Sequence, residues 1–283
     1  MKLSAKEIRR AVQAALAEDI GSGDATTLAT VPEIATAKAV MRAREPLIVA
    51  GLDIAKTALC KLSAAVKVER LVPDGRRVVA GENLLRVSGP ARAILSAERV
   101  ALNFVQRLSG IATLTAQFAD AIKGTHTHIL DTRKTTPGLR HFEKYAVACG
   151  GAKNHRVGLF DMILIKDNHL AVLQSEKPNA IAAAVRRARE KFPKLKIGVE
   201  TDTLEQAGQA ADAGADIILL DNMNPAQLRL AVQKVKSRAK TEASGGVNLA
   251  NVRAIAETGV DFISVGALTH AARAVDIGLD FES

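Results

Sequence analysis

The rhythm of apolar and polar positions changes near the middle of this chain. Over 4–18, Ile8, Val12, Ala15 and Leu16 recur at helical spacing. Ser4 stands as N-cap with Glu7 three residues on, and Leu3 and Ile8 are placed to form a staple. Strand-like runs follow at 36–44 and 46–50, then a helix over 52–62. Val66 and Val68 alternate with Lys67 and Glu69, as on a half-exposed strand. Asp74-Gly75 and Gly81-Glu82-Asn83 punctuate further short strands, ending at Leu84-Leu85-Arg86-Val87 and Gly89-Pro90. A long helical stretch, 91–122, closes this mixed α+β portion. Ser109-Gly110 is expected to interrupt it, and the main domain boundary is placed there.

From about 126 the pattern becomes strand then helix, repeated. Candidate strands lie at 126–130, 162–165, 197–199, 216–220, 240–243 and 262–265, with helices at 178–191, 203–213, 225–237 and 248–258. Repeated βα units with continuous apolar strands predict a parallel sheet, and about six of them predict a barrel. Asp131, Arg133 and Lys134 follow the first strand, Lys166 and Asp167 the second, and Glu200 the third. Asp221-Asn222 follow the fourth, Ser244-Gly245-Gly246 the fifth, and Gly266 the sixth. Polar, charged or glycine residues at each carboxyl end mark an active-site rim.

The densest signal is 131–169, DTRKTTPGLRHFEKYAVACGGAKNHRVGLFDMILIKDNH. Its cations are Arg133, Lys134, His155, Arg156, Lys166 and His169, set around the turns Pro137-Gly138 and Gly150-Gly151. Several cations on one rim suit a ligand with several negative charges, through charge-assisted bonds to carboxylate or phosphate. His155-Arg156 is expected on a loop over the mouth, whereas His126, His128 and His141 have no such context. Ser244-Gly245-Gly246-Val247, leading into a helix from Asn248, reads as a phosphate cradle, paired with Val265-Gly266-Ala267 after the last strand. His270 is a further neighbour for that phosphate. Glu200 and Asp221 face the same mouth and are open to three roles: acid–base pair, ligands of a hard cation such as Mg²⁺, or partners of Lys166 and Arg133. Arg99, on the helix 98-ERVALNFVQRLSGIAT-113, reads from periodicity alone as a solvated charge.

Composition narrows the partners. The 283 residues allow one large α/β domain or two smaller ones, each with a core. Only 3% of residues are aromatic and none is Trp, which argues against a stacking platform for single-stranded nucleic acid. A net charge of +9 favours anionic partners, and its spread along the chain favours a small polyanion over nucleic acid. Cys60 and Cys149 show no metal-ligand spacing and are expected as reduced thiols in a cytoplasmic protein. No apolar run is long enough to span a bilayer, and Lys2, Lys6, Glu7, Arg9 and Arg10 exclude a signal-peptide core.

These residues together resemble the quinolinate phosphoribosyltransferase family, also called carboxylating nicotinate-nucleotide pyrophosphorylases. The resemblance runs from 18-EDIGSGDATT-27 through 98-ERVALNFVQRLSGIAT-113 and the 131–169 stretch to 244-SGGVNLANVRAIAETGVDFISVGALTH-270. It implies an α/β protein: an N-terminal α/β sandwich over 1–108, to which the tail 271–283 returns, and an open α/β barrel of about six to seven strands over 109–270. The implied reaction joins quinolinate to phosphoribosyl pyrophosphate (PRPP), releases pyrophosphate and carbon dioxide, and yields nicotinate mononucleotide for NAD synthesis. Arg133, His155, Arg156 and Lys166 would then bind the quinolinate carboxylates. Lys134, Glu200 and Asp221 would serve PRPP and its Mg²⁺, with Lys134, Lys166, Glu200 and Asp221 as the catalytic set and no organic cofactor. Ser244, Gly245, Gly246 and Gly266, with His270 nearby, would hold the 5′-phosphate. Arg99 would reach across a homodimer interface into the partner's quinolinate site. Gly198, Ala152 and Ala271 depart from the residues expected there, and none is an implied ligand. Two rivals remain: a paralogous phosphoribosyltransferase with another acceptor, and a non-catalytic anion-binding or nucleic-acid-binding protein. The first is disfavoured by cations suited to a dicarboxylate, the second by Glu200 and Asp221 in the mouth.

Overall fold

Ser4 sits in extended backbone, its hydroxyl accepts from the Glu7 N–H, and the Glu7 carboxylate accepts from the Ser4 N–H. That capping box starts the first helix in the computed structural model, which describes residues 1–236 and 238–282. The first elements are α1 (Ala5–Ile20), α2 (Ala25–Thr30), β1 (Thr36–Ala43), β2 (Leu47–Ile48) and α3 (Leu52–Lys61). They lead through β3 (Lys67–Arg70), β4 (Arg77–Val78) and β5 (Asn83–Pro90) to α4 (Ala91–Ala121). Next come β6 (His128–Leu130), α5 (Arg140–Cys149), β7 (Ile163–Ile165), α6 (Asp167–Ala171), α7 (Ala180–Lys191), β8 (Ile197–Thr201) and α8 (Leu204–Asp212). The chain ends with β9 (Ile217–Asp221), α9 (Pro225–Val235), β10 (Lys240–Ser244), α10 (Val252–Ala256), β11 (Phe262–Ser264), α11 (Ala267–His270) and β12 (Ile277–Glu282). No described helix is long and apolar enough to cross a membrane.

The chain divides into two compact units that do not follow chain order. One comprises Met1–Ala116, Thr136–Gly151 and Ala271–Ser283; the other comprises Gln117–Thr135 and Ala152–His270. In the first, an antiparallel sheet runs β12-β1-β5-β3, and a two-stranded ribbon pairs β2 with β4. The C-terminal strand β12 thus adds to the sheet of the N-terminal strands. Helix α1 packs on α3 through its buried stripe Ile8, Val12 and Leu16.

Ser109-Gly110 does not interrupt α4, contrary to the reading from sequence. The Ser109 hydroxyl accepts from the Ala50 N–H at 2.9 Å, and a Cβ on Gly110 would fall 2.0 Å from the Arg273 carbonyl oxygen. Both residues are small because neighbouring backbone lies against them, so tertiary packing overrides the local breaker signal. Helix α5 carries no such announcement in sequence. It buries Glu143 completely, whose carboxylate accepts from Arg107 at 3.0 Å and from the Thr136 N–H at 3.1 Å.

Bonds from Ser4 and contact with His141 hold the Glu7 carboxyl at about 2, below its ordinary 4.5. A carboxyl depressed on folding contributes stability present above its unfolded value and lost as pH falls toward its folded one. Ser4→Ala is expected to cost about 1 kcal/mol at neutral pH. It should also flatten the loss of stability between about pH 4.5 and about pH 2. Urea unfolding of both proteins across that range is the measurement; parallel acid curves would remove Ser4 from the account.

In the second unit the six strands are parallel, in the order β6-β11-β10-β9-β8-β7. The edges β6 and β7 are not paired with each other, so the barrel is open. An isolated parallel bridge from Leu130 to Lys153 extends the free side of β6. Interior apolar residues such as Ile129, Val199, Ile218, Ala243 and Ile263 fill the layers between sheet and helices. Strands β9 and β10 run one residue further than the apolar pattern implies, taking in Asp221 and Ser244, and β8 runs two further, taking in Glu200 and Thr201.

Candidate active site

Side chains two apart on a strand share a face, so each barrel strand delivers residues to the interior in pairs. Leu164 and Lys166, Leu219 and Asp221, Glu242 and Ser244, and Ser264 and Gly266 form such pairs, and all eight line one cavity of about 750 Å³. Within each pair the second member lies nearer the carboxyl end of its strand. Register sets their neighbours: Glu242 pairs with Leu219 and Ser244 with Asp221 across β10 and β9, and Glu200 pairs with Leu219 across β8 and β9.

Of the residues singled out from sequence, Arg133, Lys134, His155, Arg156, Lys166, Glu200, Asp221, Asn222, Ser244, Gly245, Gly246, Gly266 and His270 line this cavity, whereas Asp131, Asp167 and His169 do not. Arg99 does not line it either and stands exposed on α4.

The loop carrying His155 and Arg156 is tied to the end of β6 by a buried carboxylate. Asp131, fully buried, accepts from the Asn154 side-chain amide at 2.7 Å and from the His155 N–H at 2.8 Å. Asp161 closes the far end, accepting from the Val157 and Gly158 N–H groups at 2.7 and 2.9 Å. The Arg156 guanidinium donates to the Met162 carbonyl at 3.1 Å. Burial, then the neighbouring Arg133 charge, pushes its pKa below the ordinary arginine value, with Asp161 opposing. The buried Nε of Arg133 makes no hydrogen bond. Two half-buried like charges that act on each other make a receptor for an anion.

The carboxylates are better partnered. Glu200 accepts from the Lys166 ammonium at 2.6 Å. Asp221 accepts from the Ser244 hydroxyl and, at 2.8 Å, from the Asn222 amide. Asn222 has φ 53°, left-handed backbone that asparagine tolerates better than most residues. Gly245 and Gly246 follow with φ 89° and 61°, and a Cβ at Gly245 would fall 2.0 Å from the Asn222 Oδ1. Glycine is therefore required at Gly245 on both counts. The helix expected from Asn248 instead starts at Val252, because Asn248 accepts from the Ala250 and Asn251 N–H groups and turns the chain first. The cradle is thus a left-handed glycine turn rather than a helix N-terminus. A Cβ at Gly266 would lie 3.1 Å from Lys134 Cδ and 3.2 Å from His270 Nε2, so those two side chains flank that glycine.

Among the described residues no group of three or more His, Cys, Asp or Glu side chains is placed to hold a metal on its own. Glu200 and Asp221, at the ends of neighbouring strands, supply two carboxylates. That donor set fits Mg²⁺, which keeps few protein ligands and completes its shell with other oxygens. Sequence reading missed Glu242, Ser264 and Thr132 as cavity residues. Counting two back from each rim residue would have found Glu242.

Comparison with known proteins agrees with this geometry. Residues 24–109 match the family model for the quinolinate phosphoribosyl transferase N-terminal domain, and 111–280 match the model for its C-terminal domain. The nicotinate-nucleotide pyrophosphorylase [carboxylating] of Mycobacterium leprae is 45% identical over 278 residues, covering 96% of each chain. A probable enzyme of the same name from Bacillus subtilis is 43% identical over 264 residues, covering 93% of this chain and 89% of its own. The solved nicotinate-nucleotide pyrophosphorylase of Francisella tularensis superposes with a TM-score of 0.93 at 39% identity, covering 99% of this chain and 98% of its own. With both domain models matched in order and full-length relatives above 40% identity, this chain belongs to the quinolinate phosphoribosyltransferase family.

Proposed function

We propose that this chain converts quinolinate and PRPP to nicotinate mononucleotide, pyrophosphate and carbon dioxide in NAD biosynthesis. The observation that carries the reading is the pair Arg133 and Arg156, whose charges crowd each other inside a cavity that also holds Lys166. Quinolinate brings two adjacent carboxylates to such a pair. Arg133, Arg156 and Lys166 grip them, and His155 forms the wall of the same subsite. Lys134, Glu200 and Asp221 take the PRPP side, with Ser244, Gly245, Gly246, Gly266 and His270 around its 5′-phosphate.

Held carboxylates aim the pyridine nitrogen at the anomeric carbon of PRPP. The nitrogen–carbon bond forms as the carbon–oxygen bond to pyrophosphate breaks, and the leaving group departs with the electron pair. In this reading Lys134 and Lys166 offset that growing negative charge. The alkylated ring is a pyridinium, so the electron pair left at C2 when carbon dioxide departs is stabilised before a proton replaces it. Glu200 and Asp221 would hold Mg²⁺ together with PRPP, and the ion supplies charge neutralisation at the diphosphate. The working assembly in this reading is a homodimer, with Arg99 entering the partner's site. The barrel over 109–270 is its catalytic domain, with 1–108 and the tail 271–283 forming the other. Free Cys60 and Cys149 accord with a reducing, cytoplasmic setting.

The test is incubation with quinolinate, PRPP and magnesium, following nicotinate mononucleotide, pyrophosphate and released carbon dioxide. Nicotinate lacks the 2-carboxylate and leaves a cation without its partner, at roughly 1–3 kcal/mol per group. Its kcat/KM should fall by about tenfold to a hundredfold. Equal use of the two acids would overturn the assignment of the arginine pair.

A further inference from the structure

Glu242 is a buried carboxylate that lines the cavity and has no task in the proposed reaction. It lies in the middle of β10 and is fully buried. Its Oε1 accepts from the Ser264 hydroxyl on the next strand, β11, whereas its Oε2 makes no hydrogen bond and faces the His155 ring, 3.4 Å from Nε2. The other ring nitrogen is engaged too: Nδ1 accepts from the Arg156 N–H at 2.8 Å. A nitrogen that accepts carries no proton, so in this arrangement the ring proton sits on Nε2, toward Glu242. Ser264, Glu242, His155 and the Arg156 backbone therefore form one line from β11 to the anion-binding loop.

We infer that Glu242 is a positioning residue: it orients His155 through Nε2, and His155 in turn fixes the Arg156 backbone that aims the guanidinium at a substrate carboxylate. Three observations make this stronger than a chance contact. A bare carboxylate lining a dianion site would repel the ligand, and here a ring nitrogen of His155 lies 3.4 Å from it. The desolvation of Glu242 is only half offset by Ser264, which leaves Oε2 in need of a donor. The loop that carries His155 is anchored at Asp131 and Asp161, so a ring held at Nε2 fixes the remaining segment between them. The same logic governs the histidines of other sites, whose tautomer is set by what the second nitrogen touches.

The inference rests on quinolinate as the substrate, and the test separates the two. Glu242→Ala removes the oxygen that faces Nε2, while Glu242→Gln keeps an oxygen able to accept from it. In steady-state assays, Glu242→Ala is expected to raise the quinolinate KM by at least about tenfold with the PRPP KM within about twofold, and Glu242→Gln to recover most of that loss. Long-range proton–nitrogen NMR, with the signal assigned by its disappearance in His155→Gln, reads the ring directly. The wild type and Glu242→Gln should show a single form protonated at Nε2, and Glu242→Ala a mixture of forms. An unchanged ring signal in Glu242→Ala overturns the inference. So does a joint rise of both KM values with a lowered melting temperature, which would mark a purely structural carboxylate. If the wild type does not use quinolinate, the functional reading fails, and the ring signal alone decides the role of Glu242.

Discussion

Arg133→Ala is expected to lower kcat/KM for quinolinate by about a hundredfold to a thousandfold while leaving the free protein as stable as before, or slightly more so. The reason lies in the unliganded state. Arg133 depresses the pKa of Arg156, second only to burial, and neither guanidinium is held in a salt bridge among the described residues. The free protein thus carries a like-charge repulsion that a bound dicarboxylate removes. Deleting Arg133 relieves the repulsion and forfeits the charge-assisted bonds to substrate, so folding and function move in opposite directions. Lysine at the same position should recover only part of the loss, because a point charge cannot reproduce the planar fork of donors. Steady-state kinetics and thermal unfolding on the same preparations decide the matter. A variant that loses activity and melts many degrees lower would mean that Arg133 holds the fold rather than the ligand.

How much of this was legible in the sequence depended on whether a signal was local. Apart from β10, the barrel strands were readable because each is a short apolar run ended by a polar or glycine residue. The rim residues were readable for the same reason: Lys166, Glu200 and Asp221 are abrupt charges beside apolar neighbours. Glu242 was not, because its strand reads Lys-Thr-Glu-Ala-Ser and offers no apolar run against which a charge stands out. Its burial is decided by register with β9 and β11, which no local pattern encodes. Ser109-Gly110 misled for the opposite reason. The pair looks like a break, yet it is a place where the Ala50 and Arg273 backbones come close. At Asn248 the side chain accepts from two following N–H groups and delays a helix that hydrophobic spacing alone would begin earlier. Long-range contact, rather than weak propensity, accounts for the first two of these departures; the third is local side-chain chemistry.

Arg99 poses the sharpest test of assembly, because its position on α4 gives it no role in its own right. It is exposed, and among its neighbours its charge acts only to temper the upward push of burial on the Glu98 carboxyl. If Arg99 from one subunit completes the site in the partner's barrel, Arg99→Ala and Lys166→Ala should each be nearly inactive, since every site lacks one cation. Mixing the two and allowing subunits to exchange then creates heterodimers with one doubly defective site and one intact site. Activity should return, approaching about half that of a wild-type dimer in each heterodimer if the two sites act independently. With random exchange about half of all dimers are mixed, so the recovered rate should approach about a quarter of the wild-type value. That contrast, from near zero to a quarter, far exceeds what changed stability of either variant produces. A mass-tagged subunit verifies that exchange has occurred. Mixed dimers that form and stay inactive would place Arg99 back among the solvated charges of α4 and leave each barrel to work with its own residues.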